Sequence, residues 1–283
     1  MNMKTIPVYD FPKGKLLPKF EVMPWNKDVS AYDATLPHRH NYYEMLIFLK
    51  GKGSHEIDFT TYTFKPHSLH FVASNGVHLV KREQGSEGFS ILFTQEFLPS
   101  QYSLHDFSFY KANTLPVLNL SRREYITLKP LLDELKSEYF SDNKLKREAL
   151  ASLFHFFLVK VQRLYEQKAG AVIAPVKNDF VAKMEALIEA NFAKHWRAGD
   201  YAREMNVSVA NMTALCKQHF SKNTEKLVQE RLLLEIKRQL VYSDKPVKEI
   251  CYELNFEDPA YFIRFFRKNT GNTPLNYRNA LKH

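Results

Sequence analysis

The chain has 283 residues, 45% hydrophobic and 14% aromatic, so it can bury more than one core and is not a disordered chain. Its formal net charge of +9 suits a polyanionic partner, but residues 178–283 carry 17 Lys and Arg against 13 Asp and Glu, so neither half is a basic tail. Only Cys216 and Cys251 are present, which argues against a disulfide framework or a cysteine-based zinc site.

The first residues, MNMKTIPVYDFPKGK, lack an unbroken apolar stretch and a small-residue cleavage pattern, so no secretory signal is expected. The longest apolar-rich segment, LASLFHFFLVKVQRLYEQ, is broken by His155 and Lys160 and is too short to span a bilayer. A cytoplasmic protein without a membrane partner is the expectation. To about Phe109 the sequence shows short apolar runs punctuated by Gly, Pro and Ser, with Lys50-Gly51-Lys52-Gly53 as a turn between strands. A mainly-β barrel or sandwich over residues 1–120 is predicted.

Within it, His38-Arg39-His40 places two imidazoles one residue apart, on the same side of a strand. Glu44 and His78 can join them, and His38, His40, Glu44 and His78 form a set able to hold Zn²⁺, Fe²⁺ or Mn²⁺. The same side chains can line a barrel mouth without any metal, and no cofactor is the expectation. The segment resembles the first motif of the cupin fold, and SNGVH resembles a second motif that has lost its proline. Together with Tyr42, these residues are the predicted effector pocket. Tyr43, Phe71 and Phe93 are further aromatic candidates for its wall, or for the core.

Residues 121–140 and 144–168 read as two helices. In the second, Leu150, Leu153, Phe154, Phe157, Val161, Leu164 and Tyr165 form one apolar stripe. The stripe either packs on its own barrel or pairs two subunits. AGAVIAPVKND then breaks the periodicity and marks a linker, residues 169–178. Residues 179–283 read as an all-α domain.

That domain contains a repeat. REMNVSVANMTALCKQHFSKNT, from Arg203, matches YELNFEDPAYFIRFFRKNTGNT, from Tyr252, at an offset of about fifty residues. Each unit reads as a helix-turn-helix whose second helix is capped, by Ser208 in one and Asp258 in the other, with Pro259 at the first helical position. Phe262, Phe265 and Phe266 share the core face, and Ala260, Tyr261, Arg264 and Lys268 lie opposite. A basic edge alone is usually just solvated. Its recurrence in both units points to a surface that meets a major groove.

From Asp179 to Arg278 the chain resembles the DNA-binding domain of AraC/XylS-type transcriptional regulators. The strongest part is VKEICYELNFEDPAYFIRFFRKNTGNTPLNYR, which closes on Gly271, Pro274, Tyr277 and Arg278. Asn255 and Ser221 stand where the family commonly has Gly. The resemblance implies base contacts from Ala210, Thr213, Ala214, Ala260, Tyr261 and Arg264. It implies phosphate contacts from Ser208, Lys217, Lys222, Asn223, Arg267 and Lys268. Double-stranded DNA, a small-molecule effector in the barrel, a homodimer through residues 121–168 and contact with RNA polymerase are the implied partners. An alternative is a metal-dependent cupin enzyme fused to a DNA-binding module. No nucleophile–base constellation and no phosphate-cradling glycine loop is visible, so no catalytic residue is predicted.

Overall fold

The computed structural model describes residues 5–12, 17–25, 36–99, 102, 104, 107–110, 114–169 and 179–281. The chain divides into two compact units, one spanning Pro7–Val176 and the other built on Lys177–His283. The expected linker falls almost wholly on 170–178, outside the described residues.

The first unit contains strands β1 (Val8–Tyr9), β2 (Phe20–Pro24), β3 (Arg39–His40), β4 (Tyr43–Lys50), β5 (Gly53–Ile57), β6 (Thr60–Thr63), β7 (Ser68–Val72), β8 (His78–Arg82), β9 (Glu87–Phe93) and β10 (Val117–Asn119). Five of them form an antiparallel sheet in the order β10-β7-β4-β9-β2, and three form a second antiparallel sheet, β6-β5-β8. The predicted mainly-β architecture is present, its strands divided among these two sheets and a two-stranded parallel pair, β1-β3, among the described residues. The β4–β5 turn needs glycine: Gly51 has φ +108°, and a Cβ there would meet the Ser86 backbone and side chain within 2.6 Å.

Side-chain alternation along the central strand β4 sorts the interior into two compartments. Met45 and Ile47 face a large core that also takes Leu69, Phe71, Ile91 and Phe93. Leu46 and Phe48 point the other way and join Ile57, Phe64 and Val72 between the two sheets. Glu44 shares that second parity.

Two helices cover the large core. Helix α1 (Arg122–Phe140) starts with a capping box in which Ser121 Oγ accepts from the Glu124 amide while the Glu124 carboxylate accepts from the Ser121 amide. Helix α2 (Lys146–Ala169) lays its apolar stripe on the same core, with Leu150, Phe154, Phe157, Val161 and Tyr165 all buried. The stripe therefore packs within its own unit. The aromatic wall candidates Phe71 and Phe93 belong to this core, with Tyr43 packed against it.

The second unit has helices α3 (Asp179–Asn191), α4 (Ala198–Glu204), α5 (Val209–Phe220), α6 (Thr224–Tyr242), α7 (Val247–Glu253), α8 (Pro259–Thr270) and α9 (Pro274–Leu281). It has two small cores. Met184, Ile188, Tyr201, Met212, Cys216 and Val228 form the first. Leu232, Ile236, Leu240, Ile250, Leu254, Phe256, Phe262 and Phe266 form the second. Helix α6 gives Val228 to one and Leu232, Ile236 and Leu240 to the other, so a single rigid element carries both units of the repeat. Arg231 on α6 fastens α3 to it through paired bonds to Glu189 of 2.6 and 2.8 Å, over the Phe192 ring at 4.0 Å. Burial opposes the Glu189 charge, but the Arg231 guanidinium outweighs it and holds that carboxyl below its usual range.

Candidate nucleic-acid interface and histidine cluster

The two halves of the repeat are built by the same local devices. In each, the turn between helices needs one left-handed residue, supplied by Asn206 at φ 54° and Asn255 at φ 57°. Next comes a cap. Ser208 Oγ accepts from the Asn211 amide, and Asp258 accepts from the amides of Ala260 and Tyr261 at 2.8 and 3.0 Å. Both second helices end on another left-handed residue, Ser221 at φ 55° and Gly271 at φ 77°. Arg278 then ties the end of the second unit back, donating to the carbonyls of Leu240 and Lys245.

This leaves α5 and α8 with matched faces. Met212 and Cys216 are buried on α5, as are Phe262 and Phe266 on α8. The outward faces carry Ala210, Ala214 and Lys217 on α5, and Ala260, Tyr261, Arg264, Arg267 and Lys268 on α8, all exposed. Thr213 is half-buried, and its hydroxyl donates to the Val209 carbonyl at 2.9 Å. Neither helix contains an acidic residue, so nothing on them repels a phosphate backbone. Arg264 lies 3.6 Å from Asp258, where a mutually exposed pair adds little stability.

The remaining predicted phosphate residues are engaged differently. Lys222 pairs with Glu230 at 2.7 Å. Ser208 caps α5, and Asn223 caps α6 by accepting from the Lys226 amide. Ser208 and Asn223 cap with acceptor oxygens, which leaves their donor hydrogens for a further acceptor, whereas Lys222 donates to Glu230.

In the first unit the predicted pocket residues come together, with two more that the sequence reading did not name. His40 and His78 are buried, and their Nε2 atoms lie 3.3 and 3.7 Å from Glu44 Oε2. His38 pairs with His78 backbone to backbone, and their rings sit 4.3 Å apart. Tyr42 does not face the others across an opening; it stacks flat on His40 at 4.0 Å. Behind His78 lie His55 and His70, both fully buried. His78 Nδ1 meets His55 Nε2 at 3.2 Å, and His55 Nδ1 meets His70 Nδ1 at 3.1 Å.

Burial pushes the pKa values of His38, His55 and His78 down, with neighbouring imidazoles adding to the effect, and burial alone takes His70 to about 3. These four rings are therefore neutral at pH 7. The tautomer of His40 follows from its partner. Its Nδ1 lies 2.7 Å from the Tyr42 carbonyl, which only accepts, so Nδ1 carries a hydrogen and the neutral form of the ring has its lone pair on Nε2. His78 is set likewise if it donates toward His55 and His55 toward His70. The Nε2 atoms of His40 and His78 are both buried without an oriented hydrogen bond.

His40, Glu44 and His78 present ligand atoms within 4.8 Å of one another. Ligand atoms spaced roughly 3.4 Å apart suit a tetrahedral ion with bonds of about 2.0–2.1 Å. The donor set fits a divalent transition metal; His38 is not in the converging group.

Residues 201–280 match the family model described as a helix-turn-helix domain, and residues 29–158 match the AraC-like ligand binding domain. The chain belongs to the AraC family of transcription regulators. Among curated relatives, this regulator is 24% identical over 267 residues to the transcriptional activator PerA of Escherichia coli O127:H6, covering 90% of this chain and 92% of that one. It is 23% identical over 255 residues to the transcriptional activator RhaS of Pectobacterium carotovorum, covering 86% and 87%. Among solved structures, ToxT from Vibrio cholerae aligns over 94% of this chain and 97% of its own, with 18% identity and a TM-score of 0.41. No helix among the described residues is long and apolar enough to cross a membrane.

Proposed function

We propose that the regulator binds double-stranded DNA with α5 and α8 in successive major grooves, about 34 Å apart along one face of the duplex. One observation carries this reading. Two capped, acid-free helices sit on one scaffold helix whose apolar residues enter both cores. Arg264 takes the role of guanine reader, with Ala210, Thr213, Ala214, Ala260 and Tyr261 as neighbours at base edges. Lys217, Arg267 and Lys268 hold phosphates, with Ser208, Lys222 and Asn223 at the helix starts. The test is selection of duplexes by the full chain from a random pool at fixed salt. A preferred sequence bound about 10³-fold or more over random competitor is expected. Enrichment of no sequence sinks the reading.

The first unit is the sensor, and the cluster of His38, His40, Tyr42, Glu44 and His78 is where we place its ligand. The regulator is read as a cytoplasmic homodimer without catalytic activity. Ile126 on α1 and Phe156 on α2, 57% and 47% exposed, supply apolar contact between copies, and sedimentation of the full chain reads the outcome. The word "activator" in the names of PerA and RhaS supports a contact with RNA polymerase.

The orphaned Nε2 atoms beside Glu44 favour a divalent metal ion as part of what the sensor holds. Such an ion would supply a fixed positive charge and open coordination positions for an anionic effector. Titrating chelator-stripped protein with Zn²⁺, Mn²⁺ and Fe²⁺ is expected to raise its melting temperature. An ion at 100 times its Kd adds about 2.7 kcal/mol. The shift should vanish in Glu44→Gln, and equal shifts in both proteins would exclude this site.

A further inference from the structure

The outward face of α5 contains a residue that neither the sequence resemblance nor the base-contact set above includes. The N-caps set the register of the repeat: Ser208 corresponds to Asp258, an offset of fifty. By that register Ala210 corresponds to Ala260, Ala214 to Arg264, and Asn211 to Tyr261. Tyr261 is 53% exposed beside Arg264. Asn211 is likewise exposed, in the first turn of its helix. Its backbone N–H is taken by Ser208 at 3.2 Å, but among the described residues its side-chain amide has no hydrogen-bond partner. It packs in neither core of the second unit. Thr213 has given its one hydroxyl hydrogen to the Val209 carbonyl, which leaves it an acceptor oxygen and a methyl group. The first turns of α5 thus offer one free carboxamide, ringed by the small apolar groups of Ala210 and Ala214, with Val209 49% exposed at the helix start.

A carboxamide in the major groove matches adenine, donating to N7 and accepting from N6, while alanine methyls match the 5-methyl group of thymine. Nothing in these turns matches the paired acceptors of guanine, whereas Arg264 does in the other unit. We propose that Asn211 is a specificity-determining residue that reads an adenine, so that the half-site under α5 is an A·T step and the half-site under α8 contains guanine. This rests on the DNA-binding reading above.

The test uses the full chain and a duplex obtained by selection. Each adenine in turn is replaced by 7-deazaadenine, which keeps Watson–Crick pairing but lacks the N7 acceptor. Each thymine is replaced by deoxyuridine, which lacks only the methyl group. For the natural protein, one 7-deazaadenine position is expected to lower affinity by about tenfold, with nearby deoxyuridines lowering it by about two- to fivefold. For Asn211→Ala, the same 7-deazaadenine should change nothing, because the contact is already gone. Being exposed, Asn211 can be replaced without disturbing either core, and unchanged thermal unfolding checks this. A selected duplex insensitive to N7 removal at every adenine overturns the assignment while leaving DNA binding intact. So does a penalty that persists in Asn211→Ala. Failure to select any duplex removes the DNA-binding reading and this inference together.

Discussion

Replacing Phe266 with alanine is expected to destabilise the second unit by about 3–5 kcal/mol, the range for deleting a large buried aromatic side chain. Phe266 has no exposed surface and lies on the inner face of α8. Its ring meets Tyr277 of α9 edge-on at 5.3 Å, and the neighbouring Arg278 donates to the carbonyls of Leu240, in the last turn of α6, and of Lys245 just beyond it. The cavity would therefore open where three helices meet, with no flexible segment able to collapse into it. Domains of this size have roughly 5–15 kcal/mol of stability, so a large share would be lost. Hydrogen exchange within one molecule separates the effect from unfolding elsewhere. Amides of α7 and α8 should lose protection by that amount, while β4 and β9 in the first unit keep theirs. A loss below about 1 kcal/mol in α8 would mean that Phe266 does not sit in a packed core.

The position of Phe266 was legible in the sequence because a helix converts spacing into direction. Phe262 and Phe266 lie four apart after an Asp-Pro start, and both are buried on α8. Local signals of this kind also located the caps Ser208 and Asp258 and the stripe on α2. The two left-handed turns followed the same logic, since Asn is among the few residues that tolerate them.

The histidine cluster was only half legible. His38, His40 and Glu44 are neighbours in sequence, so short spacing alone makes them candidates for one cluster, although β3 carries His40 and β4 carries Glu44. His55 and His70 lie on β5 and β7, which belong to different sheets, and only tertiary packing brings their Nδ1 atoms to 3.1 Å. No local spacing encodes that distance. Even so, one signal was present: His70 lies in the run Ser68–Val72, which is buried on both faces, where a polar residue requires a partner. The mainly-β fold of the first unit was legible, but its strand pairing was not. Short strands reveal β structure, but not which strand edges pair. Asn211 was hidden in another way, because its counterpart Tyr261 is an unlike side chain. The caps Ser208 and Asp258 and the buried pairs Met212/Phe262 and Cys216/Phe266 all give the same offset of fifty, and only that register, not side-chain likeness, brings Asn211 opposite Tyr261.

Arg264→Ala and Lys268→Ala are expected to weaken DNA binding by different laws, although both side chains are exposed on one helix. Arg264 lies one turn and a half into α8, where its guanidinium can make a planar pair of bonds to guanine O6 and N7. Its loss should cost about 1–3 kcal/mol on the preferred duplex and almost nothing on a scrambled one. The weak link to Asp258 at 3.6 Å does not compete seriously, since a mutually exposed ion pair is worth at most about 1 kcal/mol. Lys268 stands one turn later, nearer the helix end, and its flexible ammonium is the proposed phosphate contact. Its removal should lower affinity for every sequence alike and flatten the dependence of log K on log salt by about 0.9. Measuring each variant on preferred and scrambled duplexes at several salt concentrations separates the two. If Arg264→Ala loses the same factor on both duplexes, Arg264 is a phosphate contact. If Lys268→Ala leaves the salt slope unchanged, α8 does not carry Lys268 to the backbone, and the depth assigned to that helix in the groove is wrong.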